Sequence, residues 1–209
     1  KGDTFIALKT NNDGHKYIDD AIKNGATKVV AEYGSYPVET LLVDNTKKYL
    51  VNYLYENYYQ EIKDLKLIGI TGTNGKTTTC MLLHNMLNML GRKTAYIGTN
   101  GFYINKYIKE LPNTTPEILD IYELLIEAKK EECEFVCIEA SSHGLDQNRL
   151  EGLKFDYAIF TNLTHEHLGY HKTMENYAIA KQKLFTILRN NKYAIINNDD
   201  NYKDYFILK

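Results

Sequence analysis

The run Gly72-Thr73-Asn74-Gly75-Lys76-Thr77-Thr78 has the residue types that hold a chain of phosphates. Its glycines let the backbone wrap close to phosphate oxygens, so that several N–H groups and the positive end of a following helix face the anion. Lys76 would add a point charge for the outer phosphates, and Thr77 a hydroxyl for Mg²⁺. The longer pattern G-x-x-x-x-G-K-[ST] is not met, because Ile70 stands at its first glycine; the shorter G-T-N-G-K-T is present instead. The bland alternative is a glycine-rich turn carrying a solvated lysine. The position of the run, between an apolar strand and a helix, favours binding of nucleotide phosphates.

Other polar groups fall after other strands. Glu139 follows the apolar run Phe135–Ile138, where its carboxylate could reach a Mg²⁺ held by the phosphate loop, although an acid at a strand end is more often merely solvated. The polar stretch from Ala140 to Arg149 comes next, and Arg149 either clamps a carboxylate or phosphate or is a surface arginine. His165, Glu166, His167 and His171 invite a zinc-hydrolase reading. H-E-x-x-H fails, however, because Gly169 stands where the second histidine belongs. Adjacent surface histidines, or one histidine assisting the nucleotide's metal, are the alternatives. Lys181, flanked by Ala178 and Ala180, reads by itself as a solvated helix lysine. Asn113-Thr114-Thr115 ahead of Pro116 reads as a helix cap at Thr115 and, beyond that, an anion site.

The elements that must position these groups alternate. Short strands are expected at 4–8, 28–31 and 41–43, with a helix over 17–24; a helix over 47–59 then leads to a larger unit. There, strands at 67–70, 94–97, 135–138, 157–161 and 193–196 are separated by helices at 77–90, from 115, and over 174–188. Such spacing implies an α/β fold with a parallel sheet covered on both faces, whose ligands gather at the carboxyl ends of the strands.

Composition excludes several classes. The chain has 209 residues, with 25 Lys+Arg against 27 Asp+Glu, a balance that argues against nucleic acid as a partner. Mean hydropathy is −0.43 and no apolar run approaches a spanning length, so no membrane span is expected. Cys80, Cys133 and Cys137 form no CxxC pair and read as buried free thiols of a reducing compartment. The residues Lys1–Phe5 show no signal-peptide pattern, so secretion is not expected.

Together these motifs resemble the Mur ligases, in particular their UDP-N-acetylmuramoyl-tripeptide synthetase branch. The residues that carry the likeness are Gly72–Thr78, Asn113–Pro116, Glu139–Leu145, Thr161–His171, Thr173–Tyr177 with Ala180-Lys181, and Asn197–Asp200. The opening Lys1–Leu8, followed by Asp13-Gly14-His15, fits as well. The resemblance implies a P-loop ATPase domain over 65–209, incomplete, preceded by part of a small α/β uridine-binding domain over 1–45 and a connecting helix over 46–64, with the C-terminal domain absent. It implies a cytoplasmic, monomeric, ATP- and Mg²⁺-dependent ligase that joins an amino acid to UDP-MurNAc-L-Ala-D-Glu through an acyl phosphate. On that pattern Gly72, Thr73, Asn74, Gly75, Lys76, Thr77 and Thr78 hold ATP. Thr77, Glu139, His167 and a carbamylated Lys181 serve the metal ions, with Lys76, Lys181 and His167 closest to the chemistry. Asn113, Thr114, Thr115, Ser141, Gln147 and Arg149 hold the acceptor, and Thr10, Asn11 and Asn12 lie near the uridine. Where the family usually has Asp-His-Leu-Asp, this chain has Glu166-His167-Leu168-Gly169, which lengthens one acid and deletes another. A nucleotide-binding module without ligase activity, or a folylpolyglutamate-synthetase-like ligase, are the competing readings.

Overall fold

The computed structural model describes residues 2–9 and 12–208. Thr10 and Asn11, two of the three residues expected near a uridine, lie outside the described residues. The chain divides into two compact units, 1–57 and 58–209.

In the first unit, β1 (Thr4–Ile6), a 3₁₀ turn (Gly14–Tyr17), α1 (Ile18–Lys23), β2 (Lys28–Ala31) and β3 (Glu39–Leu42) precede α2 (Thr46–Ile62), within which the division falls. The three strands make a parallel sheet in the order β1-β2-β3. Ala7, Ile18, Val29 and Ala31 form its core. Asp13 accepts from the backbone N–H of His15 at 3.0 Å and from the Tyr33 hydroxyl at 2.8 Å, and His15 stacks on Tyr33.

The second unit holds β4 (Lys66–Thr71), α3 (Lys76–Met89), β5 (Thr94–Gly98), β6 (Gly101–Ile104), β7 (Lys106–Lys109), α4 (Ile118–Lys130), β8 (Phe135–Glu139), α5 (Ser142–Asp146), β9 (Phe155–Phe160), α6 (Leu168–His171), α7 (Met174–Thr186) and β10 (Leu188–Ile196). Its seven strands run in the order β10-β9-β4-β8-β5-β6-β7. The apolar β4 lies between β8 and β9, parallel to both. The strands after β4 are therefore laid down first on one side of it (β5, β8) and then on the other (β9, β10), the kind of switch point at which α/β sheets hold ligands. Ile68, Ile70, Cys80, Tyr96, Phe135 and Cys137 pack as one core beneath it. Gly69 admits α7 on the other face: a Cβ there would lie 2.5 Å from Leu184 Cδ1.

The structure departs from the sequence reading at three places. The sheet is mixed, because β6 and β7 form an antiparallel hairpin at one edge. That hairpin turns at Asn105 with φ 61° and occupies a stretch in which no element was expected. Second, α4 starts at Ile118, not at Thr115, with Glu117 at the cap position in extended conformation and without a side-chain cap bond. The Thr115 hydroxyl cannot cap, because it is committed elsewhere, 2.7 Å from the Glu139 carbonyl oxygen. Third, the polar stretch after β8 contains a helical turn, α5, whose cap is Ser141 accepting from Gly144 N–H.

Candidate functional site

Gly72 to Gly75 cross from β4 to α3 and are held from below by the segment that leaves β9. Thr73 N–H donates to Asn162 O at 2.8 Å, and Asn74 N–H to Asn162 Oδ1 at 3.0 Å. Thr161 Oγ1 and Asn162 Nδ2 both donate to Asn74 O, and Thr164 N–H donates to Thr73 Oγ1. The approach is close: a Cβ on Gly72 would sit 1.9 Å from Thr161 Oγ1, so only glycine fits. Gly75, at φ 85°, then turns the chain into α3, whose first N–H groups have no carbonyl within the helix to bond. Fixed underneath through the Thr73 and Asn74 N–H groups, this loop forms a cradle whose free N–H donors are those at the start of α3.

Two lysines converge on it. Lys76 Nζ donates to Gly72 O and Thr73 O, each at 2.9 Å. Lys181 Nζ, 1% exposed on α7, donates to the same Gly72 O at 2.7 Å and lies 4.6 Å from the centre of the Tyr177 ring. Burial, and then the neighbouring Lys76 charge, push the Lys181 amine well below the usual lysine range. Burial also lowers Lys76, opposed by Glu139 and Glu166. The sequence reading of Lys181 as a solvated helix lysine is therefore overturned.

Glu139, the last residue of β8, is fully buried rather than solvated. Its Oε2 accepts from Thr77 Oγ1 at 2.9 Å and from Thr99 Oγ1 at 3.2 Å; its Oε1 accepts from Tyr96 OH at 2.5 Å and from Thr99 N–H at 3.1 Å. A buried carboxylate surrounded by neutral donors, with a threonine hydroxyl against one oxygen at the edge of a phosphate cradle, is a hard-oxygen donor set that suits Mg²⁺. Among the described residues, no group of three or more His, Cys, Asp or Glu side chains is placed to hold a metal ion, which leaves the zinc reading without a site.

The remaining candidates form a second patch. Thr114 Oγ1 reaches Thr99 Oγ1 at 3.0 Å, which links it to Glu139. Thr115 Oγ1 lies 2.9 Å from Ser141 Oγ and accepts from Ser141 N–H. Arg149 Nη1 donates to Thr115 O at 2.8 Å, its Nε and Nη2 donate to Gln147 Oε1, and Glu117 pairs with Nε at 2.9 Å. Arg149 is thus an oriented guanidinium, not a loose surface arginine. Asn113 is exposed on the approach to this patch, and Asn12 is exposed in the first unit. His167, at φ 56°, keeps company with Glu166, His143 and Tyr177 rather than with Thr77 or Glu139.

The sequence profile of the Mur ligase middle domain matches residues 70–209. The chain belongs to the Mur ligase family. It is 42% identical over 203 residues to the UDP-N-acetylmuramoyl-L-alanyl-D-glutamate–2,6-diaminopimelate ligase of Fusobacterium nucleatum, a match covering 95% of this chain and 41% of that one. It is 38% identical over 213 residues to the corresponding L-lysine ligase of Staphylococcus haemolyticus, covering 98% and 43%. The chain thus spans about two fifths of the length of the curated relatives it matches. A solved structure of a diaminopimelate-adding ligase superimposes with a TM-score of 0.84 at 32% identity, over 99% of this chain and 42% of that one. The MurF ligase of Thermotoga maritima, solved with ADP, shares the fold at a TM-score of 0.64 and 24% identity.

In this Mur ligase chain the loop Gly72–Thr78, Glu139 and Lys181 come together, as do Thr114, Thr115, Ser141, Gln147 and Arg149. Cys80, Cys133 and Cys137 are buried free thiols. Two polar groups escaped the sequence reading, Tyr96 and Thr99, which bond Glu139; Tyr177, there only part of a motif, has its hydroxyl 3.2 Å from Thr73 Oγ1. The signal for Tyr96 was a phenol between the apolar Ala95 and Ile97 of a strand.

Proposed function

We propose that this chain is the nucleotide- and acceptor-binding portion of an ATP-dependent ligase that adds the third amino acid to UDP-MurNAc-L-Ala-D-Glu through an acyl phosphate. The observation that carries the reading is the convergence of Lys76, Lys181, Thr77 and Glu139 on one phosphate cradle. The tripeptide-ligase relatives, matching over nearly the whole chain, supply the reaction. Relatives named for diaminopimelate and for lysine match the same span, so this span is common to both. On this reading residues 1–45 bind the UDP end, with Thr10, Asn11 and Asn12 at the uridine. Residues 46–64 connect, and 65–209 bind ATP in a cytoplasmic, monomeric enzyme.

Each step follows from groups in place. The free N–H donors of the cradle, at the N-terminus of α3, take the phosphates, and Lys76 swings from the Gly72 and Thr73 carbonyls to neutralise the outer ones. Thr77 Oγ1 and Glu139 Oε2 would hold Mg²⁺, and His167 and Lys181 would serve a second ion; the positive charge so supplied would offset that of the phosphates and the acceptor carboxylate. Burial and then Lys76 lower the proton affinity of Lys181, which favours the neutral amine, the form that reacts with CO₂ to become an anionic carbamate. Arg149 binds the acceptor's anionic group through the Nη1 and Nη2 protons that Thr115 O and Gln147 Oε1 do not take, and Asn113, Thr114, Thr115 and Ser141 complete that patch. Gly169 supplies no carboxylate for the second ion, which is the feature that favours a binding module without ligation as the second reading. Titration of the chain with UDP-MurNAc-L-Ala-D-Glu tests the acceptor assignment: binding to wild type and its loss in Arg149→Met supports it, and no binding to wild type rejects it.

A further inference from the structure

We propose that Tyr96 is a positioning residue that makes Glu139 a one-oxygen ligand and so selects Mg²⁺ over Ca²⁺ at the phosphate cradle. The proposal rests on the reading of that cradle as a nucleotide–metal site. Tyr96 is fully buried on β5. Its hydroxyl accepts from Asn100 N–H at 3.2 Å, which leaves its own proton for Glu139 Oε1 at 2.5 Å. With Thr99 N–H also on Oε1, that oxygen is held by a phenol wedged in the core and by a backbone amide, neither of which rotates away. Oε2 differs: its donors are the hydroxyls of Thr77 and Thr99, which turn freely about their C–O bonds to offer lone pairs instead.

Gly98 shows how tightly the pair is built. A Cβ there would lie 2.3 Å from Glu139 Oε1 and 2.5 Å from Tyr96 OH, so the contact exists only because this residue is glycine. Pulling Oε1 toward a cation would leave the buried phenol without an acceptor. Mg²⁺ is small and octahedral and is served by single carboxylate oxygens, whereas Ca²⁺ accepts both oxygens of a carboxylate. A carboxylate with one oxygen locked satisfies the first and denies the second. Groups behind metal ligands tune affinity in this way.

The test is calorimetric titration of ADP into the 209-residue chain in EDTA, in Mg²⁺ and in Ca²⁺, for wild type and Tyr96→Phe. Wild type is expected to bind ADP more tightly with Mg²⁺ than with Ca²⁺. Tyr96→Phe is expected to keep its metal-free affinity while the Mg²⁺-to-Ca²⁺ ratio falls roughly tenfold. An unchanged ratio overturns the proposal and leaves the nucleotide reading standing; no binding of ADP by wild type in Mg²⁺ overturns both. If Tyr96→Phe does not fold, the infrared carboxylate bands of ¹³C-glutamate-labelled wild type decide. A separation of the asymmetric and symmetric stretches that widens on adding Mg²⁺ with ADP marks one-oxygen ligation, and one that narrows overturns it.

Discussion

Lys76 and Lys181 share an acceptor, the carbonyl oxygen of Gly72, at 2.9 and 2.7 Å. Two full ammonium charges on one carbonyl would repel, and at Lys181 the pull of the Glu166 carboxylate is the smallest of the influences, behind burial and Lys76. Lys181 therefore sheds its proton far more readily than an ordinary lysine, through burial first and Lys76 second. The neutral amine is the nucleophile that CO₂ requires. In buffer containing ¹³C-bicarbonate near neutral pH, wild type should show a carbamate carbon signal that Lys181→Met lacks; a spectrum identical to the variant's would remove Lys181 from the metal site.

Gly169 leaves open space where the family usually has an acid: a Cβ built there meets nothing within 4 Å. Gly169→Asp should therefore fold normally, with stability within about 0.5 kcal/mol of wild type. The new carboxylate should tighten binding of a second divalent cation in the presence of ADP, read by titration with Mn²⁺. A melting temperature lowered by many degrees would show that the site tolerates glycine alone.

Gly72 offers the opposite case. A methyl at this position would collide with Thr161 Oγ1, which otherwise donates to Asn74 O and pins the cradle. Gly72→Ala should cost about 1–3 kcal/mol of stability, the usual range for overpacking, and should weaken ADP binding more than Gly169→Asp does. Denaturant titration and calorimetry together check both halves.

Away from the site, Glu134 is gripped by Arg92 and by Lys66, whose Nζ is 2.8 Å away, and its carboxyl is held down at about 2 by Arg92 first and Lys66 second. A carboxyl with a lowered folded-state pKa stabilises fully above its unfolded value, here 4.5, and that stability is lost as pH falls from there toward 2. Wild type should lose stability between pH 5 and pH 2.5 more steeply than Glu134→Gln, measured by urea titration. Parallel loss in both proteins would show that the grip has no energetic weight. The Lys66–Glu134 pair is partly exposed, with side chains 42% and 32% accessible, so screening by water should keep the difference small.

The phosphate cradle was legible because its logic is local: a strand, two glycines, a lysine, a threonine and a helix follow one another within about a dozen residues. Glu139 and Arg149 were recognisable by type and by their places after a strand, but not by their surroundings. The contacts that make Glu139 buried come from Tyr96 and Thr99, some forty positions earlier, and only pairing of β5 with β8 brings them together. Thr115 misled because a threonine ahead of a proline has the pattern of a helix cap. Its hydroxyl is instead drawn to the end of β8, and the helix starts three residues later. Lys181 read as solvated because nothing in α7 reveals that Gly69 lets this helix close onto the sheet, where the Gly72 carbonyl accepts from the Lys181 amine.

The central claim, that Gly72–Thr78 binds nucleotide phosphates, is tested most directly by calorimetric titration of ATP with Mg²⁺ into wild type and Lys76→Ala. Wild type should bind one nucleotide per chain, and the variant should bind at least roughly tenfold more weakly, about 1.4 kcal/mol. Equal affinity in the two proteins would contradict the assignment.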